Sequence, residues 1–215
     1  GDIAPLRELA ALCRAHDALL VVDDAHGLGV LGPQGRGCLM ELGLSEEDVP
    51  LLIGTLGKAV GTSGAFVAGP QLLMDYLVQK ARTYIYTTAM PPAIALATCA
   101  SLDLIEREDS RRSHLQMLVS EFRKEALALG YELMPSRTPI QPIMVGDNWA
   151  ALALSQALEE RGLMVTAIRP PTVPEGQARL RVTFSAAHSS EDLATLLSAL
   201  ADCRSLLSRP SAEVV

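Results

Sequence analysis

The sequence predicts an α/β fold in which a layered domain is followed by a smaller α+β domain. Apolar runs of strand length at residues 18–22, 51–54 and 65–68 alternate with a helical segment and glycine-rich loops. This spacing is typical of a layered domain with a mainly parallel sheet, in which ligands bind at the strand ends. After residue 130 the pattern changes to short alternating strands and helices, which indicates the second domain.

Periodicity and capping signals predict the remaining elements. Helices are predicted over residues 5–15, 72–82, 93–105, 110–129, 148–161 and 189–208, and extended segments over 84–88, 140–145, 164–168 and 180–184. Ser189 or Ser190 is expected to cap the last helix, and Asn148 or Asp147 the helix before it. We therefore predict the later part of a large domain over 1–105, a connecting helix over 106–130, a small domain over 131–208 and a frayed tail over 209–215.

Composition limits the class of protein. The 215 residues are 49% hydrophobic and 20% charged, as in a folded globular protein. A net charge of -7 argues against nucleic acid or an anionic membrane as the main partner. No apolar run approaches the roughly 20 residues of a membrane span. The four cysteines lie far apart, so we expect no metal site, no disulfide framework and a cytoplasmic location.

Lys58 lies at the centre of residues 51–65, between two apolar runs and among glycines. A lysine in this setting has no obvious solvated face, and a buried ammonium group has to be paired or deprotonated. A deprotonated lysine amine is a nucleophile towards aldehydes, which is the start of Schiff-base chemistry. The alternative is a loop lysine whose ammonium group reaches water.

Two glycine motifs point to nucleotide binding but stand in the wrong context. Residues 27–32 match GxGxxG after a strand, yet Pro33 and the glycines beyond it cannot open the helix that a dinucleotide site needs. Residues 57–58 are not a P-loop, because Leu52 and Ala59 replace the glycine and the hydroxyl residue that the motif requires. A nucleotide-binding module is therefore the weakest functional hypothesis.

Four polar residues follow the ends of two predicted strands: Asp23, His26, Thr55 and Lys58. Together they supply what pyridoxal phosphate needs. A lysine forms the imine with its aldehyde, and a carboxylate keeps the pyridine nitrogen protonated. A histidine can donate to the phenolic oxygen and a threonine hydroxyl to the phosphate. Asp24 points to the other face of the strand and is interpreted as structural.

Three segments carry a resemblance to a known family: VVDDAHGLGVLGPQGRG, TLGKAVGTSGA and RTYIYTTAMPP. They resemble the α-oxoamine synthases, fold type I pyridoxal-phosphate enzymes that join an amino acid to an acyl thioester with loss of carbon dioxide. The resemblance extends from Gly1 to about Cys203. It implies an aspartate aminotransferase-like fold, pyridoxal 5'-phosphate as cofactor, acyltransferase activity and a homodimer with a shared active site.

The resemblance also implies roles for the candidate cofactor residues. Lys58 matches the Schiff-base lysine, and Asp23 matches the partner of the pyridine nitrogen. His26 matches the contact to the phenolic oxygen, and Thr55 a phosphate ligand. Each of these four is therefore expected to bind the cofactor, and the first three to be catalytic.

Further positions match residues that bind substrate or a neighbouring subunit's cofactor. Arg181 resembles the arginine that holds the substrate carboxylate, and a guanidinium fork suits that role. Thr172 matches a substrate-contacting position, and Arg169 is a candidate near the acyl end. Thr88, or else Thr87, resembles the hydroxyl donated to the phosphate in the neighbouring subunit.

Two segments narrow the resemblance within the family. Residues 140–148 and 165–188 are most similar to members that condense L-alanine with a pimeloyl thioester, carried by coenzyme A or acyl carrier protein. Synthases of the 2-amino-3-ketobutyrate and 5-aminolevulinate types stay open as alternatives. Family members have a preceding N-terminal half, so we expect this chain to be part of a longer protein and inactive alone. A truncated, non-catalytic product is the remaining alternative.

Overall fold

The structure, a computed structural model, describes residues 1–208, and the predicted tail over 209–215 lies outside the described residues. The chain forms two compact units. The N-terminal unit comprises Ala4–Arg112, and the C-terminal unit comprises Gly1–Ile3 together with the residues from Ser113 onward. The division predicted at residues 105 and 130 stays a prediction.

The N-terminal unit is a three-stranded sheet with five α-helices and one 3-10 helix (Pro33–Gly35). The strands are β1 (Val21–Asp23), β2 (Leu51–Thr55) and β3 (Ala65–Ala68), and the helices are α1 (Leu6–Ala15), α2 (Cys38–Glu41), α3 (Gln71–Lys80), α4 (Arg82–Ile85) and α5 (Pro92–Arg107). Strand β1 pairs in parallel with β2, and β2 pairs antiparallel with β3. The sheet is therefore mixed, and the parallel pairing of the first two strands matches the expected layered fold.

A small apolar cluster holds the first helix to this sheet. Leu6 of α1 is buried with Val22 of β1 and Val49 before β2. Apolar residues at 39, 42 and 44, around and after α2, pack against this cluster.

Three expectations for this unit are wrong. Residues 84–88 do not form an extended segment, because the N–H groups of Tyr84 and Ile85 bond to the Ala81 carbonyl and close a helical turn. Strand β1 begins three residues later than predicted, and Val21 in it is exposed. Strand β3 is mostly exposed as well, so the glycine-rich lysine segment does not lie between two buried strands.

The C-terminal unit is a four-stranded antiparallel sheet with three α-helices. Its strands, in the order β4-β5-β7-β6, are β4 (Glu132–Leu133), β5 (Ile140–Gly146), β6 (Thr166–Ile168) and β7 (Ala178–Thr183). The helices are α6 (Asp109–Ala128), whose first four residues belong to the N-terminal unit, α7 (Asn148–Glu159) and α8 (Ser190–Cys203). Leu118, Phe122, Ile143, Leu154 and Leu200 are fully buried and form its core.

The capping predictions for this unit are confirmed where the structure describes them. Asp147 caps α7 through the Ala150 N–H, and Ser189 caps α8 in a reciprocal pair with Asp192. The final helix is shorter than predicted, because a 3-10 turn replaces the α-helix after Cys203. None of the helices within residues 1–208 is long and apolar enough to cross a membrane.

Candidate active site

The first site residues follow the end of β1. Val22 is buried and Asp23 exposed, so Asp23 projects from the outer face of the strand end. Its Oδ1 accepts the N–H of Ala25 at 3.0 Å, which fixes the carboxylate at the turn. Asp24 is buried and its Oδ2 accepts the Cys38 N–H at 2.7 Å. This contact agrees with the structural role expected for Asp24.

The glycine-rich segment after β1 folds as a tight loop. Gly29, Gly32 and Gly37 all have positive φ, a conformation that glycine adopts without strain. A Cβ at Gly37 would lie 2.0 Å from Asp24 Oδ2, so glycine is also required for the loop to close on that carboxylate. No α-helix begins within 27–32, and this described segment therefore lacks the helix N-terminus that dinucleotide binding needs.

Thr55 and Lys58 follow the end of the neighbouring strand. Thr55 is the last residue of β2, and its hydroxyl donates to the Gly64 carbonyl and accepts the Gly57 N–H, both at 3.3 Å. We call residues 56–64 the lysine loop. Its ends are joined because Leu56 N–H donates to the Gly64 carbonyl at 2.9 Å.

Lys58 Nζ lies 3.1 Å from His26 Nε2, within hydrogen-bond distance. This contact joins residues 32 positions apart, and it forms because parallel pairing places the ends of β1 and β2 at one edge of the sheet. The expectation that Lys58 has no solvated face is wrong. The side chain is exposed because the lysine loop carries it beyond the last paired residue of β2.

The structure brings four of the predicted residues to this sheet edge: Asp23, His26, Thr55 and Lys58. The threonines at 87 and 88 lie after α4 and are exposed, and the Thr87 hydroxyl donates to the Thr83 carbonyl. No cluster of three or more His, Cys, Asp or Glu side chains in residues 1–208 could hold a metal ion.

The predicted substrate residues lie in the C-terminal unit. Arg181 is an exposed residue of β7 and pairs with Pro142 of β5 and Thr166 of β6. Arg169 and Thr172 form one turn, in which the Thr172 N–H donates to the Arg169 carbonyl at 3.0 Å. All three predicted substrate residues are exposed, and their roles stay predictions.

Sequence reasoning missed the residues that hold the lysine loop. Thr62 in the loop and Thr98 on α5 contact each other through their hydroxyls at 2.8 Å. The Ser101 hydroxyl of α5 donates to the Val60 carbonyl at 2.6 Å. The sequence gives only a weak signal for these contacts. Thr98 and Ser101 stand three positions apart in a predicted helix rich in small residues, so they share one face of it.

Comparison with known proteins identifies the class to which this fold and site belong. The family model for aminotransferase class I and II matches residues 1–200. The chain belongs to the aminotransferase class I and II family, and the fold expected from the sequence is confirmed.

Its structure is similar to serine palmitoyltransferase of Sphingomonas wittichii, with a TM-score of 0.91, 33% identity and coverage of 98% of this chain and 53% of that one. It is also similar to 8-amino-7-oxononanoate synthase of Francisella tularensis, with a TM-score of 0.85, 31% identity and coverage of 97% and 61%.

Sequence relatives point within that family to one kind of enzyme. The chain is 74% identical to 8-amino-7-oxononanoate synthase of Marinobacter nauticus, over 99% of this chain and 54% of that protein. It is 61% identical to the same enzyme of Pseudomonas putida strain F1, over 94% of this chain and 52% of that protein. The resemblance found in the motifs is thus confirmed, and the chain spans about half the length of the curated relatives it matches.

Proposed function

We propose that the protein containing this chain is an 8-amino-7-oxononanoate synthase. It joins L-alanine to a pimeloyl thioester, carried by coenzyme A or acyl carrier protein, and releases carbon dioxide and the thiol, as a step of biotin biosynthesis. The observation that carries the proposal is the 3.1 Å contact between Lys58 Nζ and His26 Nε2, beside Asp23 at one sheet edge. The 74% identity to a relative of that name supports the choice of substrates.

The residues at this edge fit pyridoxal 5'-phosphate by their chemistry. An exposed lysine amine is accessible to an aldehyde, and an exposed carboxylate is accessible to a pyridinium nitrogen. Thr55 adds a hydroxyl at the end of the adjacent strand, where a phosphate could accept from it. In the proposal these side chains and His26 hold the cofactor from one side. When bound, the cofactor supplies an aldehyde for the amino group of the substrate and a ring that takes up electron density.

Each residue then has a defined task. Lys58 Nζ would hold the aldehyde carbon of the cofactor, and as a free amine it would take the α-proton of alanine as a general base. Asp23 would hold the pyridine nitrogen in its protonated form, which would stabilise negative charge at the α-carbon of the substrate. His26 Nε2 orients the lysine amine through the contact between them. After carbon dioxide leaves, Lys58 returns a proton to the same carbon.

The C-terminal unit supplies the proposed substrate contacts. Arg181 carries a fixed positive charge with donors in a fork that matches the carboxylate of alanine. Thr172 and Arg169 are proposed to contact substrate in the acyl direction. We also propose a homodimer in which Thr88 reaches the phosphate bound by the partner subunit. A cytoplasmic location fits the four cysteines, none of which forms a disulfide within residues 1–208.

The test uses the complete protein that contains this chain, loaded with pyridoxal phosphate. Pimeloyl-CoA is supplied with L-alanine, glycine or L-serine, and product mass and thiol release are measured. We expect turnover with alanine and a loss of about 10²–10⁴-fold in the Lys58→Ala variant. Lys80→Ala, which changes another exposed lysine of the same unit, is the matched control.

The second candidate is another α-oxoamine synthase. The structural similarity to serine palmitoyltransferase favours keeping it in the test. Turnover of glycine or serine without turnover of alanine would refute the substrate assignment and leave the class of reaction in place. Borohydride reduction followed by peptide mapping adds an independent test. A cofactor adduct on Lys80 or Lys124, with none on Lys58, would refute the site.

A further inference from the structure

Helix α5 presents polar side chains to the lysine loop and apolar side chains to solvent. Thr98 is only 8% exposed and Ser101 is half-buried, whereas Leu96 is 73% exposed. With Ile94 and Ile105, the two hydroxyl residues form the inward stripe of the helix at spacings of three and four. Two of these four inward residues are therefore polar, whereas the inward face of an ordinary amphipathic helix is apolar. The inward hydroxyls therefore require a specific explanation.

Both hydroxyls bind the lysine loop. Ser101 Oγ donates to the carbonyl of Val60 at 2.6 Å, and Thr98 Oγ1 lies 2.8 Å from Thr62 Oγ1. Val60 is 3% exposed, so its carbonyl lies at a buried joint between the loop and the helix. A buried carbonyl without a donor costs about 1–3 kcal/mol, and Ser101 supplies that donor.

The two hydroxyls also contact backbone carbonyls on either side. Thr98 Oγ1 lies 2.8 Å from the Ile94 carbonyl of α5, and Thr62 Oγ1 lies 3.3 Å from the Leu56 carbonyl. Each hydroxyl has one proton and can also accept, so either of them can donate in the 2.8 Å contact between them. In both cases the contact links the lysine loop through Thr98 to the backbone of α5.

The lysine loop is closed internally by its own hydrogen bonds. Leu56 N–H reaches the Gly64 carbonyl at 2.9 Å, and Gly61 N–H reaches the Lys58 carbonyl at 2.9 Å. Lys58 is exposed, so burial of its own side chain does not hold it in place. The position of its amine relative to His26 therefore depends on how the loop is attached to α5.

We propose that Thr98 and Ser101 are positioning residues for Lys58. This inference rests on the proposed function, because the position of the lysine amine matters only if Lys58 is catalytic. Neither residue touches the reacting atoms. They act through the lysine loop, which they fix at two points, and so hold the 3.1 Å contact between Lys58 Nζ and His26 Nε2.

The test compares Thr98→Val with Thr98→Ser in the complete protein. Valine keeps the shape and removes the hydroxyl, whereas serine keeps the hydroxyl. We expect kcat of Thr98→Val to fall about 10- to 100-fold with little change in KM for pimeloyl-CoA, since small misplacements of catalytic groups are costly. Thr98→Ser should stay close to the wild type. The pH titration of the visible absorbance of the bound cofactor should shift in the valine variant alone.

Thr195→Val is the matched control. Thr195 of α8 makes the same bond to the carbonyl four residues earlier, at 2.8 Å, and lies in the C-terminal unit. It should leave kcat and the absorbance titration unchanged. Ser101→Ala removes the second attachment and should lower kcat in the same direction as Thr98→Val.

The outcomes separate this inference from the proposed function. If the wild type neither binds pyridoxal phosphate nor uses alanine, the proposed function fails. If the wild type is active and Thr98→Val and Ser101→Ala match it in kcat and absorbance, the positioning role is refuted. If both variants fail to fold, the hydroxyls are structural and the positioning role is refuted as well.

Discussion

The two units of this chain bury their apolar residues to very different degrees. All of the largest fully buried side chains among residues 1–208 belong to the C-terminal unit, with Phe122 and Leu118 the largest. In the N-terminal unit, Leu72 is 80% exposed and Tyr86 79% exposed. Most of the exposed large apolar side chains among the described residues belong to this unit, although Met164 of the C-terminal unit is 92% exposed. In the proposed homodimer, the partner subunit would cover part of this apolar surface.

The same local motif also has different outcomes in the two units. In both pairs, Ser45 with Asp48 and Ser189 with Asp192, the serine N–H and hydroxyl donate to the aspartate carboxylate. In the second pair the Asp192 N–H also donates back to the Ser189 hydroxyl, whereas the Asp48 N–H donates to the Ser45 carbonyl. Only the second motif begins a helix of the described chain, because an apolar stripe follows Asp192 whereas Pro50 follows closely on Asp48. A capping motif therefore starts a helix only where the next residues can bury one face.

Truncating a core side chain should give the largest difference in stability loss between the two units. Phe122 is fully buried and its ring centroid lies 5.1 Å from that of Phe184. We expect Phe122→Ala to lower the free energy of unfolding of the C-terminal unit by about 3–5 kcal/mol. Hydrogen exchange of the β5 and β7 amides measures this loss. Leu72→Ala, which truncates an exposed side chain of the N-terminal unit, should change the free energy of unfolding by no more than about 0.5 kcal/mol. Equal losses in the Phe122→Ala and Leu72→Ala variants would contradict the difference in burial between the two units.

A substitution in β2 tests how tightly the N-terminal sheet is packed. A Cβ at Gly54 would lie 2.4 Å from the Phe66 ring on β3, its partner in the pairing. Gly54→Ala should cost about 1–3 kcal/mol in thermal or denaturant unfolding, because the ring has to move. Gly57→Ala is the control, since its nearest contact is an ordinary 3.7 Å. Recovery in the double variant Gly54→Ala, Phe66→Leu would show that the ring contact is the cause.

The buried amide of Gln141 gives a polar test of the C-terminal core. Its Nε2 donates to the carbonyls of Ser136 and Thr138 at 3.0 and 2.6 Å, and its Oε1 accepts from Arg123 at 2.7 Å. Gln141→Leu leaves these groups without their partner, at a cost of about 1–3 kcal/mol in unfolding free energy. Gln71→Leu, on the exposed face of α3, should be nearly neutral. A neutral Gln141→Leu would show that the network adds nothing.

The smallest effect is expected in the titration of the two capping carboxylates. The Ser45 N–H, and then the Ser45 hydroxyl, lower the pKa of Asp48, and Ser189 lowers the pKa of Asp192 in the same way. A depressed pKa in the folded protein adds stability above the unfolded value of about 3.9, and this is lost as pH falls through the folded pKa.

Carboxyl NMR titration should show both groups with a pKa below the ordinary value of an aspartate. Ser45→Ala and Ser189→Ala keep the backbone N–H, so each should raise the pKa of its carboxyl only partway to the ordinary value. The second substitution alone should also increase exchange in the first turn of α8. An equal increase in hydrogen exchange after Ser45→Ala and after Ser189→Ala would contradict the difference between the two motifs.

Local patterns in the sequence were sufficient for much of the fold. The apolar runs at 51–54 and 140–145 are strands, and Ser189 and Asp147 cap their helices. The prediction of an extended segment over 84–88 was wrong. Its β-branched and aromatic residues favour a strand, but no strand pairs with it in the described chain. Propensity describes one residue at a time, whereas a strand needs a neighbour.

The sequence by itself predicted which residues would carry the chemistry, through the motifs around Lys58 and Asp23, and it argued against a dinucleotide site through Pro33. Only the tertiary structure decided that Lys58 is exposed, that its amine meets His26 and that Thr98 and Ser101 hold its loop. The physical reason is that such contacts join residues more than thirty positions apart. They depend on strand pairing and on the packing of α5, which local periodicity does not encode.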